Sequence, residues 1–330
     1  MTPMRSRVRL PVAGLVLALT ITAACSSRAT GSSSSSMTLY TCATDTIEQA
    51  VVAAFEKQHG GTVHVFRAPT GQLNARVAGD SRSGGIRADV IWACDPLTMY
   101  GFQSQGLIAA WTPPTSQSGI GAAYRTDHFV GVALLYLVAV VHKGTPPPTT
   151  WADLAGAKYR NAVAIPSPTF AASALGMLGY FASAPDYGLP FYQRLKSNGA
   201  KQVDSPDEVL SGVAQGTYRA GIALANAAYA AQKKGSPIQV VWPRPGAITV
   251  YGPIGVTTRK NLSPLAHAFV TFAASRAGQT ILGQHGAYPA AAGVPGPKMP
   301  AGSPVVAPPW PQLAGQSKDL LRRYAAIFPS

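Results

Sequence analysis

Along the chain, short β-rich apolar runs alternate with segments in which apolar positions recur every three to four residues. The first run is of another kind. Arg5, Arg7 and Arg9 precede the uncharged stretch Leu10 to Ala24, the basic-then-apolar order of a secretory signal peptide over residues 1–24. A membrane span needs ~20 apolar residues, so this run is too short to serve as one. After the serine tract Ser32–Ser36, Met37–Tyr40 reads as a strand. Ile47, Ala50, Val51, Ala54 and Phe55 then repeat as one face of a helix, opened by Asp45 with Glu48 as a capping-box partner and stopped at Gly60-Gly61. Thr62–Phe66 alternates as a second strand, Gln72–Gly79 is a helix, Ala88–Trp92 a third strand and Pro96–Gly106 a third helix. Strand–helix repetition of this kind predicts a parallel α/β sheet.

The middle of the chain keeps the same rhythm. Val132–His142 is a long β-branched run, Thr150–Leu154 a short helix, Ala162–Ile165 a strand and Ala171–Phe181 a helix. Pro206–Gln215 follows as a helix, Ala220–Leu224 as a strand, and a helix ends at Lys234-Gly235. Ile238–Val241 and Ala247–Val256 are apolar strand-like runs, and Pro264–Leu282 reads as one amphipathic helix. The tail is rich in Pro and Gly from Pro295 to Pro311 and closes with the helical stripe Leu320, Leu321, Tyr324 and Ile327, which suits a segment that wraps a surface.

Composition narrows the function classes. The chain has 330 residues, 47% of them hydrophobic and 12% charged, with net charge +14. Removing the leader takes away three arginines and no acid, leaving a mature chain near +11, about 300 residues long and enough for two lobes. A basic surface favours anionic partners. The Lys and Arg residues form no stripe interleaved with aromatics, so nucleic acid is excluded as a partner. Beyond Cys25 only Cys42 and Cys94 remain, each just after a strand-like run. Outside the cytoplasm they are either a bridge or two separate buried thiols.

Thr22-Ala23-Ala24-Cys25 resembles the bacterial lipobox, with Thr22 where that family usually has Leu, Val or Ile. The resemblance implies an acylated Cys25, a serine-rich tether over 25–36 and a protein held at the outer side of the cell membrane. Downstream, Leu39-Tyr40-Thr41 with Asp45, Thr70-Gly71-Gln72-Leu73, Ala88-Asp89-Val90-Ile91-Trp92, Thr150-Trp151-Ala152-Asp153-Leu154, Ile165-Pro166-Ser167-Pro168 and Leu321 to Phe328 stand in one order. That order is similar to the type II periplasmic binding proteins of ABC transporters, in their iron(III), phosphonate and thiamine branch. The implied architecture is a two-lobed α/β clamp. Lobe 1 comprises 37–133 and 253–330, lobe 2 comprises 134–252, and the crossings lie near Val132–Tyr136 and Ala247–Ile254. The implied partners are a small-molecule anion or zwitterion between the lobes and an ABC permease with its ATPase. The protein is expected to act as a monomer, without a cofactor.

Three loops fall where such a cleft must lie, at the carboxyl ends of strands. Thr44-Asp45, Thr70-Gly71-Gln72 and Ser167 with Thr169 offer hydroxyls and backbone N–H groups at helix starts, which suit an anion and equally suit ordinary capping. Tyr136, Asn226 and Tyr229 complete the candidate ligand set. Iron-binding members of the resembled family carry a tyrosine pair in the segment matching Leu224–Tyr229, where this chain has only Tyr229. One phenolate does not satisfy a hard ferric ion, and the six histidines show no metal-ligand spacing. The expected solute is therefore phosphonate- or phosphate-ester-like, with ferric iron or an iron complex as the alternative. A secreted hydrolase and a wall-binding structural lipoprotein are the rivals from other classes. The chain lacks Gly-x-Ser-x-Gly, His-Glu-x-x-His and phosphate-loop motifs, which argues against an enzyme.

Overall fold

The computed structural model describes residues 35–114, 116 and 118–329; the leader, Cys25 and most of the tether lie outside the described residues. The first three strands, β1 (Ser36–Thr41), β2 (Thr62–Arg67) and β3 (Val90–Trp92), are parallel, with Thr38 opposite His64 and Thr41 opposite Trp92. They alternate with helices α1 (Asp45–His59), α2 (Thr70–Arg82) and α3 (Pro96–Ser104). Helix α1 buries Val51, Val52 and Phe55, as its periodicity requires. Its start differs from the expected capping box. Thr44 is the N-cap and makes no side-chain cap bond, Asp45 pairs with Arg67 at 3.0 Å, and Glu48 is buried.

Two long strands, β4 (Val130–His142) and β9 (Ala247–Val256), run antiparallel through the middle of the sheet. Every residue of β9 is buried, which explains why its sequence is a continuous apolar run. The distal end of β9, Ile254–Val256, pairs with β3, whereas Leu137–Val141 of β4 pairs with β7 (Ala220–Leu224). Strands β5 (Val163–Pro166) and β6 (Lys201–Val203) extend the sheet beyond β7, giving the order β2-β1-β3-β9-β4-β7-β5-β6. Strand β8 (Ile238–Val241) also pairs with β4. The two halves of the sheet thus share only β4 and β9 as continuous elements. The β4–β9 register shifts between Gly131 and Ala133, and a methyl on Gly131 would stand 2.6 Å from the Tyr251 ring. Glycine is what allows that approach.

Helices α4 (Ala172–Ser183), α5 (Gly188–Ser197), α6 (Pro206–Ala214) and α7 (Ala225–Lys233) cover the second half of the sheet. The stretch read as one helix over 264–282 is two, α8 (Leu265–Ala274) and α9 (Arg276–Gln284). Ser275 sits in extended backbone between them and its Oγ accepts the Gly278 N–H at 3.2 Å, so the serine ends one helix by capping the next. Strand β10 (Tyr288–Pro289) then lies on β4.

The tail wraps as its composition suggested. Strand β11 (Val305–Val306) adds to β9, and helix α10 (Trp310–Leu313) buries Trp310 and Leu313. Helix α11 (Ser317–Ala325) packs on α4, with Tyr324 edge-on to Tyr192 at 5.1 Å and its hydroxyl donating to Gln202 Oε1 at 2.6 Å. The closing helix therefore lies against elements of the segment 134–252, although the sequence reading groups 253–330 with the first lobe. No helix among the described residues is long and apolar enough to cross a membrane.

Candidate ligand-binding cleft

Four helix N-termini meet at one cavity of about 240 Å³. Helices α1 and α2 bring Thr44, Ile47, Pro69 and Thr70 from the first half of the chain; α4 and α7 bring Ala172, Ser173 and Asn226 from the second. None of these four helices has a capping side-chain bond, whereas Asp95, Ser205 and Ser275 cap α3, α6 and α9. In α1 the Ile47 N–H turns back to the Thr44 carbonyl at 3.1 Å; the earlier first-turn N–H groups of these helices have no side-chain cap and are open to water or a ligand. The floor is Trp92, Ala93 and Gly252 from β3, the loop after it and β9, and Leu135 of β4 adds to it. Among the described residues lining this cavity none carries a formal charge.

One wall is covalent. Cys42 and Cys94 form a disulfide with their Cα atoms 5.9 Å apart. Strands β1 and β3 pair in parallel with Thr41 opposite Trp92, so the residues just beyond their ends emerge side by side. Both cysteines belong to the lining. At the rim stands Phe170, 55% exposed and the most exposed of the large apolar side chains described.

The candidate residues named from sequence are distributed unevenly. Thr44, Thr70 and Asn226 line the cavity, and Asn226 Nδ2 donates to the Gly286 carbonyl at 3.0 Å. Asp45 points away to Arg67, and Gly71 and Gln72 are exposed on α2 outside the lining. Ser167 is fully buried, its Oγ accepting the Thr169 N–H at 3.3 Å, and both residues border a separate recess with Lys196 and Lys201. Tyr136 is buried between Trp242 and Tyr288, with ring centroids 5.6 and 4.8 Å away. Burial, with repulsion from Tyr124 adding to it, pushes its phenol up to about 12. Tyr229 accepts the Trp242 indole N–H at 2.9 Å outside the cavity. Phe170, Ser173 and Ala43 line the cavity although sequence reasoning does not single them out. Phe170 directly follows the Ser167–Thr169 loop, and Ser173 lies inside a helix whose small residues suggest only packing.

These features coincide with a family match over residues 38–287, to the bacterial extracellular solute-binding proteins. The chain belongs to that family. No curated protein matches the sequence. Among solved structures it is similar to the periplasmic binding protein AfuA from Actinobacillus pleuropneumoniae, described with exogenous fructose-6-phosphate bound. That match has 18% identity and TM-score 0.78, covering 89% of this chain and 99% of the other. Iron-bound HitA from Pseudomonas aeruginosa matches with 18% identity and TM-score 0.75, covering 88% and 99%. The substrate binding protein of an ABC transporter from Agrobacterium tumefaciens matches with 16% identity and TM-score 0.75, covering 90% and 95%. At such identities the likeness is one of fold: the solute-binding protein has the two-lobed type II periplasmic binding architecture.

Proposed function

We propose that this solute-binding protein captures a small anionic or zwitterionic solute, of phosphate-ester or phosphonate type, and delivers it to an ABC permease and its ATPase without turning it over. One observation carries the reading: four uncapped helix N-termini, two from each half of the chain, converge on a cavity whose lining offers hydroxyls and an amide but no anion. Such N–H clusters favour negative charge and donate hydrogen bonds to it. The fructose-6-phosphate bound to AfuA supports the same chemistry for a protein of this fold. Lobe 1 would hold 37–133 and the segment from 253 through β10. Lobe 2 would hold 134–252 together with α11, which packs on it. Opening and closing would bend β4 and β9. Acylation at Cys25 would anchor the protein outside the cytoplasm.

HitA keeps the ferric alternative in view, but the donor chemistry favours an organic anion. The lining supplies no carboxylate, imidazole or phenol, and a ferric ion needs several anionic oxygens. Tyr136 and Tyr288 are held as neutral phenols by burial.

Thermal shift and calorimetry against sugar phosphates, phosphonates, zwitterions, thiamine, polyamines and ferric complexes test this. A phosphorylated or phosphonate solute should bind one to one. With a Kd of ~1 μM, millimolar ligand adds about 4 kcal/mol of stability. Thr70→Val with Ser173→Ala should weaken it at least ~tenfold, the loss of about one charge-assisted hydrogen bond. Selective stabilisation by ferric complexes, with no response to organic anions, would replace this reading by the iron one.

A further inference from the structure

A basic recess lies on the first half of the sheet and shares no residue with the uncharged cleft cavity. Strands β1 and β2 contribute Thr38, Tyr40 and His64, and around them stand Arg76 of α2, Arg87 before β3 and Arg259 after β9, enclosing about 320 Å³. The arginines are set in place by two buried carboxylates. Asp80, whose side chain is 5% exposed, meets Arg76 Nε at 3.2 Å and Arg87 Nε at 3.8 Å, and accepts the Tyr40 hydroxyl at 2.8 Å. Asp89, 1% exposed, takes Arg259 at 2.9 Å and the N–H groups of Thr38 and Ser263. The guanidinium-bearing side chains themselves remain 41%, 61% and 32% exposed. Arg76 Nε also donates to the Tyr40 hydroxyl at 2.8 Å and its guanidinium lies 5.4 and 5.3 Å from the Tyr40 and Phe66 ring centroids. The terminal nitrogens of Arg76 and Arg87 make no hydrogen bond among the described residues. Three guanidinium groups over two carboxylates leave the recess positive, and planar nitrogen forks held in place are suited to phosphate oxygens. Val65, 36% exposed on the edge strand β2, stands at the rim and gives it an apolar lip.

The chain enters this part of the molecule from the proposed anchor. Strand β1 starts at Ser36, and Thr38 in the recess is its third residue. Ten residues lead from Cys25 to Ser35, and at ~3.5 Å each they reach no more than about 35 Å from a membrane surface. We propose that the Arg76–Arg87–Arg259 recess is a docking site for the phosphate headgroups of anionic phospholipids. It would hold the first lobe against the bilayer and leave the ligand cavity free. The inference rests on the proposed anchor at Cys25, which is tested separately by the mass of the membrane-extracted protein.

The vesicle experiment uses the full chain as Cys25→Ser, so that no acyl chain contributes. Co-sedimentation is compared on phosphatidylcholine vesicles and on vesicles enriched in phosphatidylglycerol. Binding is expected only to the anionic vesicles. Arg87→Gln should weaken it roughly fivefold, the worth of one basic residue at such a surface. Asp80 keeps its bonds to Tyr40 and Arg76 in that variant, and Val65→Asp should weaken binding as well without touching the ion pairs. Lys233→Gln, a remote surface charge, should leave binding unchanged. Equal losses in Arg87→Gln and Lys233→Gln would overturn the site in favour of diffuse charge. Absence of vesicle binding would overturn it too. Displacement from the vesicles by millimolar inorganic phosphate would reassign the recess to a free anion.

Discussion

Asp95 shows how a residue can serve structure at a cost that pH reveals. It is fully buried, one carboxylate oxygen caps α3 by accepting the Thr98 N–H at 2.8 Å, and the other has no hydrogen-bond partner among the described residues. Burial outweighs the cap bonds and pushes the carboxyl up to about 6 from 3.8. The folded state therefore prefers the neutral acid. Its contribution is complete below about pH 4 and is lost as pH rises through about 6. Asp95→Asn keeps an N-cap acceptor and cannot ionise. Urea unfolding at a series of pH values should show the parent losing ground to Asp95→Asn by on the order of 2–3 kcal/mol between pH 4 and neutrality. A constant difference would mean that Asp95 does not titrate in this range. At this scale the sequence is least readable. Asn226 stands out because it lies in the segment Leu224–Tyr229 that the family resemblance marks, and Thr44 and Thr70 because hydroxyls at helix starts suit a cleft. Asp45 stands out on the same ground, but Arg67 on the neighbouring strand draws it aside. Such pairings depend on strand register, which local pattern does not contain.

Among the elements, α4 depends on its small residues. A methyl on Gly176 would stand 2.6 Å from Val250 Cγ2 and 3.0 Å from the Trp310 ring, and one on Gly179 would stand 2.8 Å from Leu313 Cδ1. The helix lies this close to both β9 and the tail because two of its positions have no side chain. Gly176→Ala improves helix propensity by ~1 kcal/mol but overpacks the contact by ~1–3 kcal/mol, so net destabilisation near ~1 kcal/mol is expected in a denaturant melt. Element positions were largely legible, because apolar runs and helical periodicity are local signals. Helix α5 was not, since its apolar residues Leu189, Phe191, Tyr192 and Leu195 follow Pro185, Asp186 and Gly188, and Pro190 stands among them, so the stretch reads as a loop. The break at Ser275 was hidden because the apolar stripe continues across it while only the backbone changes direction.

For the whole molecule, the alternation of strands and helices together with the segment order pointed to the two-lobed architecture, while the tail's destination depended on packing across the sheet. The Cys42–Cys94 bond belongs to this scale because it closes a loop spanning the first α/β repeats, at a sequence separation of 52. Chain entropy alone attributes about 4 kcal/mol to a loop of that length. Cys42→Ala with Cys94→Ala should therefore lower unfolding free energy by ~2–4 kcal/mol and loosen solute binding, measured by denaturant titration and calorimetry. An unchanged affinity would show that the sulfurs only brace the wall.

That bond also gives the cleft a history. A chain still in a reducing compartment lacks it, so one side of the solute chamber stays unfinished until oxidation. Freshly made molecules would then hold a solute poorly, and competence to bind would arrive with passage to the outside.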